Sequence, residues 1–244
     1  MKLSLRCSSV AAILTGRDGL TDKQTDRIYE LSVKEKRTAK QEEELEMLIA
    51  KRDAPIELPK GAISHIEEMV DRQYFEYKDS FSSRETEKGN MVEDDSIELY
   101  NRVFFKSYQK SDRHLESDFL SGHPDIVDEN NKMVIDIKSS WSKKTFPKLP
   151  RHADNDTYVW QVKAYLYLLG WTKGQIAYCL ISTPESLLNE WDDDTLHYVD
   201  HIPDEKRITI INVELTENDR EFIKKRLSAA KEYAEKYLNE LINK

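Results

Sequence analysis

Three charged residues in the segment 121–138 are spaced so that they could act on one ligand. Asp136 and Lys138 lie two residues apart in a predicted strand, so their side chains share one face. Asp125 lies on the preceding, paired strand and can reach the same side. Two carboxylates and an ammonium at the end of an apolar hairpin lose hydration on burial, and a bound divalent cation would offset that loss.

The hairpin itself is predicted from composition. Residues 120–127 and 132–137 form two short apolar strands, and the polar cluster 128–131 forms the turn between them. An isolated Asp-X-Lys at a strand edge is also typical of a solvated ion pair, which contributes little to folding stability. The pattern therefore indicates a ligand site only in combination with the elements around it.

Length and composition limit the class of protein. The chain has 244 residues, 39% of them hydrophobic and 34% charged, which predicts one sizeable domain, or one with an appendage. It contains no apolar run long enough to span a bilayer, and its first residues lack a signal-peptide core, so we expect a cytoplasmic protein and no membrane partner. Two cysteines, Cys7 and Cys179, exclude a four-cysteine zinc or iron–sulfur site.

Charge is unevenly distributed along the chain. The net charge of −9 is unfavourable for nucleic-acid binding, yet residues 138–152 contain no acid. A basic segment leaving the charged hairpin could follow a phosphate backbone, and an ordinary solvated loop remains the alternative. Besides Lys138, its cations are Lys143, Lys144, Lys148 and Arg151.

The segment 93–108 predicts a helix whose first residue is acidic. Glu93 begins an apolar stripe with spacings of four, three and four residues, whereas Glu98 lies off the stripe and should be exposed. Because Glu93 also gains from the helix dipole, simple capping electrostatics is an alternative role. The stripe continues through Ile97, Tyr100 and Phe104.

A second predicted helix, 157–170, is apolar on nearly all sides and should be buried against a sheet. Gln161 is its unusual polar residue, and Tyr165 follows one turn later. A buried glutamine needs hydrogen-bond partners, so a satisfied core amide is one reading of Gln161. Segments 174–183 and 207–215 are rich in β-branched residues and predict strands.

The N-terminal part predicts helices. Residues 21–53 read as a charged helical hairpin in which Thr21 and Thr38 each cap a helix. It could frame a binding channel or an oligomer contact, or be only a solvated extension. Ser8 or Ser9 is expected to cap a short helix before it.

With these residues assembled, a family resemblance can be stated. Pro124-Asp125 followed by Asp136-Ile137-Lys138 resembles the signature of the PD-(D/E)XK nuclease superfamily. The order of the surrounding elements resembles its phage lambda exonuclease, or YqaJ-like (RecB-like), family, from residue 88 to residue 183. The resemblance implies an α/β fold with a central mixed β-sheet flanked by helices, like the core of restriction endonucleases. The chain would then be a single nuclease domain, 1–244, with a catalytic core at 88–183 and the 21–53 hairpin appended.

The resemblance also implies roles for individual residues. One or two Mg²⁺ or Mn²⁺ ions would bind carboxylates and a backbone carbonyl, here those of Glu93, Asp125, Asp136 and Ile137. Lys138 would orient or activate the attacking water. Gln161 would hold that water or a phosphate oxygen. Asp136 stands where many relatives have Glu, which shortens one ligand arm. The implied DNA contacts are Ser8, Tyr165 and the basic residues Lys143, Lys144, Lys148 and Arg151.

The family's activity is 5′ to 3′ degradation of double-stranded DNA from an end, in a ring-shaped homo-oligomer that is a trimer in the lambda enzyme. Its product strand feeds a single-strand annealing protein in phage recombination, in the cytoplasm of a bacterial host. Two alternatives remain open from the residues alone. One is an endonuclease on the same core, and the other is a non-catalytic module that binds DNA or protein.

Overall fold

The computed structural model describes residues 3–14, 20–54, 56–77, 82–153 and 155–244. The chain divides into two compact units. One unit comprises Met1–Leu5, Val10–Tyr77 and Thr216–Lys244, and the other comprises Arg6–Ser9 and Lys78–Leu215. The predicted core 88–183 therefore lies in the second unit, and the 21–53 hairpin lies in the first.

The elements follow one another in chain order. The helices are α1 (Ala11–Leu14), α2 (Asp22–Ser32), α3 (Ala39–Asp53), α4 (Lys60–Tyr74), α5 (Arg84–Met91), α6 (Glu93–Phe104), α7 (Asp156–Leu169), α8 (Asp194–His197) and α9 (Glu217–Ile242). The strands are β1 (Leu5–Arg6), β2 (Leu115–Glu116), β3 (Leu120–Gly122), β4 (Ile126–Asp128), β5 (Met133–Ser139), β6 (Lys173–Cys179) and β7 (Ile208–Glu214). Among the described residues, no helix combines the length and apolar character needed to cross a bilayer.

The first unit is helical. Helices α2 and α3 form the predicted hairpin, and the side chains of Thr21 and Thr38 each accept the N3 backbone N–H of a capping box, as expected from the sequence. The guanidinium of Arg27 donates to both carboxylate oxygens of Glu44, at 3.0 and 2.9 Å, and so joins the two helices. Helix α4 packs against α9 in the same unit.

The second unit is built on a four-stranded sheet of order β4-β5-β6-β7. Strands β5 and β6 are parallel, and both outer pairs are antiparallel. Helix α7 provides the β5-to-β6 crossover and packs on both strands, while α6 also packs on β5. The predicted α/β fold with a mixed sheet flanked by helices is confirmed.

The prediction of a single strand at residues 120–127 is wrong. Residues 120–127 form two strands in two sheets, because β3 pairs with β2 and β4 pairs with β5. The break falls at His123-Pro124-Asp125. Proline has no N–H to donate to a ladder, so the chain leaves the first pairing before it enters the second.

Two helix boundaries also differ from the sequence prediction. The polar stretch 80–90, which ends in Lys88-Gly89, predicts a break before the next helix. That prediction is wrong, because α5 runs through both residues after Ser83 caps its start. The helix predicted to reach residue 108 ends at Phe104, where Phe105 takes a left-handed conformation with φ of 53°.

Lys88 is fully buried at the start of the second unit. Its ammonium donates to the carbonyl oxygens of Ser140, Trp141 and Ile181 at 2.7, 3.0 and 2.8 Å. Burial lowers its pKa to about 8, so the ammonium form with three N–H donors still prevails at pH 7. Lys88 therefore joins the segments that follow the parallel strands β5 and β6.

We predict that Lys88→Met lowers the free energy of unfolding by about 3 kcal/mol, because the carbonyls of Ser140 and Ile181 lose a buried donor and that of Trp141 keeps only the Thr183 hydroxyl. Urea denaturation at pH 7 measures the change. Lys206→Met, at an exposed position of the same unit, is the control and should stay within about 0.5 kcal/mol of wild type. An equal, small effect of both substitutions would contradict the role of Lys88.

Candidate active site

Strand β5 separates an apolar face from a charged one. Ile135 and Ile137 are buried in the core cluster that includes Ile97 and Tyr100 of α6. Because side chains alternate along a strand, Asp136 and Lys138 point to the opposite face, where the ammonium of Lys138 meets Gln161 of α7. The predicted sharing of one face by Asp136 and Lys138 is therefore observed.

The Asp136 carboxylate is buried beside the ammonium of Lys138. Its residue is 1% exposed, and neither carboxylate oxygen has a hydrogen-bond partner of normal geometry in the described part of the chain. Its charge partner is Lys138, whose Nζ lies 2.7 Å from Oδ2. Burial outweighs that attraction and raises the pKa of Asp136. A buried carboxylate with open acceptor positions is a site for a ligand that supplies positive charge.

Asp125 lies beside Asp136 at the end of β4. Ile126 pairs with Ile135, so continuation of the same register places Asp125 opposite Asp136. Oδ2 of Asp125 accepts the backbone N–H of Ile137 at 2.7 Å. Burial, followed by the neighbouring charge of Asp136, raises the pKa of the Asp125 carboxyl to about 7. The two aspartates therefore share one electrostatic site.

The backbone of Ile137 faces the same edge. In the continued register its partner is Pro124, which has no N–H to donate. The amide of Ile137 turns to Asp125 instead, and its carbonyl receives no ladder bond from that position.

Lys138 is held at three points. Its ammonium contacts Asp136, lies 3.4 Å from Oε1 of Gln161, and lies 4.6 Å from the centre of the Tyr158 ring. Burial by itself would lower the pKa of Lys138, but the charges of Asp136 and Asp125 outweigh it and raise the pKa. The amine is therefore a fixed cation at neutral pH.

Helix α7 places Gln161 and Tyr165 one turn apart. It begins after Asn155, whose side chain accepts the Thr157 N–H, and ends at Gly170 in a left-handed conformation. Nε2 of Gln161 donates to the Tyr165 hydroxyl at 3.0 Å, and that hydroxyl donates to the His123 carbonyl at 3.1 Å. Tyr165 is only 3% exposed, so it lies behind Gln161 and supports it.

Glu93 approaches from the start of α6. Its side chain is 19% exposed, and Oε2 lies 2.6 Å from Nζ of Lys110. The charge of Glu93 contributes to the raised pKa values of both Asp125 and Asp136, which places it within electrostatic reach of the pair. Glu98 is exposed beside Arg102, as the sequence predicted.

The predicted phosphate contacts lie in several environments. Ser8 is exposed in a 3-10 turn, Cys7–Ser9, and Val10 rather than a serine precedes α1, so the predicted serine cap is wrong. Lys143 is half-buried and donates to the Thr195 carbonyl at 2.6 Å. The remaining predicted cations are exposed, namely Lys144, Lys148 and Arg151.

Sequence reasoning missed Lys110 and Tyr158, which contact Glu93 and Lys138. Neither residue belongs to a motif, and both contacts depend on how separate elements pack. Tyr158 lies three residues before Gln161 on α7, so helical spacing alone could have shown that it shares a face with that residue.

Solved structures share this architecture. A phage-related exonuclease from Haemophilus somnus is 24% identical over 99% of this chain and 97% of its own, with a TM-score of 0.77. An alkaline exonuclease from Laribacter hongkongensis is 12% identical over 98% of this chain and 92% of its own, with a TM-score of 0.59. The same alkaline exonuclease in complex with dAMP gives a TM-score of 0.56. The chain has the phage-exonuclease fold. No protein-family model and no curated protein matches it.

On this phage-exonuclease fold, the donor set suits a hard divalent cation. Asp125, Asp136 and the Ile137 carbonyl offer oxygen atoms only, and in the described part of the chain the charged partner of Asp136 is Lys138. Within the described residues, no three His, Cys, Asp or Glu side chains are arranged to hold a metal ion. Magnesium is commonly bound by one or two carboxylates together with water and substrate phosphate, so the aspartate pair fits it.

We predict that Asp125→Asn stabilises the protein at pH 8 in EDTA by roughly 1–3 kcal/mol. The folded pKa of about 7 lies above the unfolded value, so the folded state binds more protons and stability falls as pH rises towards 7. The gain should shrink towards pH 4, where the carboxyl is protonated in the folded state. Urea denaturation at both pH values measures it.

Asp112→Asn, at an exposed position in the same unit, is the matched control and should change little at either pH. If Asp125→Asn destabilises the protein at pH 8, the carboxylate pair is not under electrostatic strain.

Proposed function

We propose that the protein is a metal-dependent DNA exonuclease that acts on double-stranded DNA ends. The observation that carries the proposal is the buried Asp136 carboxylate, whose charged partner among the described residues is the Lys138 ammonium, 2.7 Å from Oδ2. A buried charge of this kind is unfavourable in a purely structural role, because one ion pair offsets only part of the hydration that its oxygens lose. A divalent cation and a phosphate would supply that compensation.

Each residue would have a distinct task. Asp125, Asp136 and the Ile137 carbonyl would hold Mg²⁺ or Mn²⁺, one or two ions, with Glu93 as the further carboxylate. Such an ion, when bound, supplies Lewis-acid polarisation of the phosphate and a more acidic water. Lys138, fixed as a cation, would orient the attacking water and offset the negative charge that develops on phosphorus oxygens.

Gln161 is placed to hold a water or a phosphate oxygen. Its amide is oriented from both ends, because Oε1 faces Lys138 and Nε2 donates to Tyr165. Tyr165 is in turn fixed by the His123 carbonyl. This series of hydrogen bonds keeps the Gln161 amide in one orientation, and a group that positions a substrate requires such a fixed orientation.

The DNA path would leave the aspartate pair along the segment that follows β5. Lys144, Lys148 and Arg151 are exposed there, whereas Lys143 is engaged with a backbone carbonyl. The positive charge of this segment contrasts with the net charge of −9 of the whole chain, and it favours binding of a phosphate backbone. The dAMP complex of the similar alkaline exonuclease supports a nucleotide ligand. Ser8, exposed in its turn, would add a phosphate contact.

By resemblance, degradation would run 5′ to 3′ in a ring-shaped trimer and would provide single strands for an annealing protein in phage-type recombination. Similarity of fold to two exonucleases supports this choice over an endonuclease. Digestion of end-labelled DNA would measure the strand polarity, and light scattering would measure the number of subunits.

We predict loss of linear plasmid DNA, but not of covalently closed circles, on incubation with protein and Mg²⁺. EDTA should abolish the reaction, and Asp136→Asn or Lys138→Met should lower the rate about 100-fold or more, because charge stabilisation in the transition state is lost. Nicking of closed circles would establish an endonuclease. No Mg²⁺-dependent product from either substrate would establish a non-catalytic module.

The two acids of α6 provide a matched pair for the role of Glu93. We predict that Glu93→Gln lowers the rate on linear DNA at least tenfold, whereas Glu98→Gln leaves it within twofold, because Glu98 is exposed beside Arg102. Equal rates for the two variants would remove Glu93 from the site.

A further inference from the structure

Lys110 contacts Glu93 but belongs to no motif. Its Nζ donates to Oε2 of Glu93 at 2.6 Å. The pair joins the first turn of α6 to the loop that follows the same helix. An exposed lysine with this contact alone would signify little, because surface ion pairs are weak and mobile. The loop that carries Lys110 is what distinguishes it.

That loop, residues 105–112, is held on both sides of Lys110 by hydrogen bonds to other segments of the second unit. The Asn101 side chain donates to the Tyr108 carbonyl at 2.8 Å and accepts the Tyr108 N–H at 2.9 Å. The Tyr108 hydroxyl donates to the buried carboxylate of Asp128 in β4. These bonds fix the chain two residues before Lys110.

The residue after Lys110 is fixed as well. The Ser111 N–H donates to the backbone carbonyl of Asp125 at 2.8 Å. Lys110 therefore lies between a clamp on Tyr108 and a bond to the backbone of Asp125, one of the two paired aspartates. Its ammonium is also within reach of the charges of Asp125 and Asp94. The loop thus ties the position of Glu93 to the position of Asp125.

We propose that Lys110 is a positioning residue that fixes one carboxylate oxygen of Glu93 and so orients the other towards the Asp125–Asp136 pair. The proposal rests on the metal-binding function proposed above and extends it to this chain's own loop. Carboxylate ligands of metal ions are commonly held by such an outer hydrogen-bond donor, whose loss weakens metal binding 10- to 100-fold. The clamped loop makes Lys110 the donor for Glu93.

The test is metal affinity, measured by the rise of the melting temperature with Mn²⁺ concentration, without DNA and without turnover. We expect Lys110→Met to weaken Mn²⁺ binding about tenfold or more. Lys110→Arg, which keeps a cationic donor, should recover affinity to within about threefold. Lys106→Met, an exposed lysine of the same loop, is the control and should match wild type.

A double substitution separates positioning from general charge. In the Glu93→Gln background, Lys110→Met should cause no further loss of Mn²⁺ affinity, because its target carboxylate is already gone. Unchanged or tighter Mn²⁺ binding by Lys110→Met would overturn the proposal, as would a loss that is fully additive with Glu93→Gln. Weaker DNA binding in EDTA with unchanged Mn²⁺ affinity would also overturn it, and would make Lys110 a phosphate contact.

The two proposals fail differently. If the folded wild-type protein shows no rise in melting temperature with Mn²⁺ or Mg²⁺, the metal-dependent function fails. If wild type responds and Lys110→Met responds equally, only the positioning role of Lys110 fails.

Discussion

A buried carboxylate is the constraint on which this site depends. Asp136 lies in the middle of an apolar strand, and only the Lys138 ammonium approaches it with positive charge among the described residues. Two further polar groups lie near that charge, because Asp125 lies opposite it and Gln161 lies beyond the amine. Raised pKa values of the two aspartates express the electrostatic strain that this packing stores.

The interruption at Pro124 connects the fold with the site. It moves the chain from the pairing with β2 to the pairing with β5, and it withholds an N–H from the strand edge. The amide of Ile137 is then bound by Asp125, which brings that carboxylate beside Asp136. The break in strand pairing and the contact between Asp125 and Ile137 therefore lie at adjacent residues.

Global charge and overall fold say less about function than these local contacts. A net charge of −9 would argue against a nucleic-acid enzyme, yet an acid-free basic segment begins at the end of β5. The fold is shared with exonucleases at 24% and 12% identity, and folds of this kind can carry more than one chemistry. The proposed hydrolysis therefore depends on the aspartate pair, Lys138 and Gln161.

The sequence by itself determined the elements whose signals are local. The polar turn before β5, the threonine caps and the apolar helix α7 with its terminal Gly170 follow from side-chain period and capping chemistry. It also placed Asp136 and Lys138 on one face, since strand alternation requires it. Only the tertiary structure decided contacts between residues far apart in sequence. The burial of Lys88 depends on carbonyls 52, 53 and 93 residues away, and the Lys110–Glu93 pair spans 17. No local propensity encodes such distances, because packing of whole elements sets them.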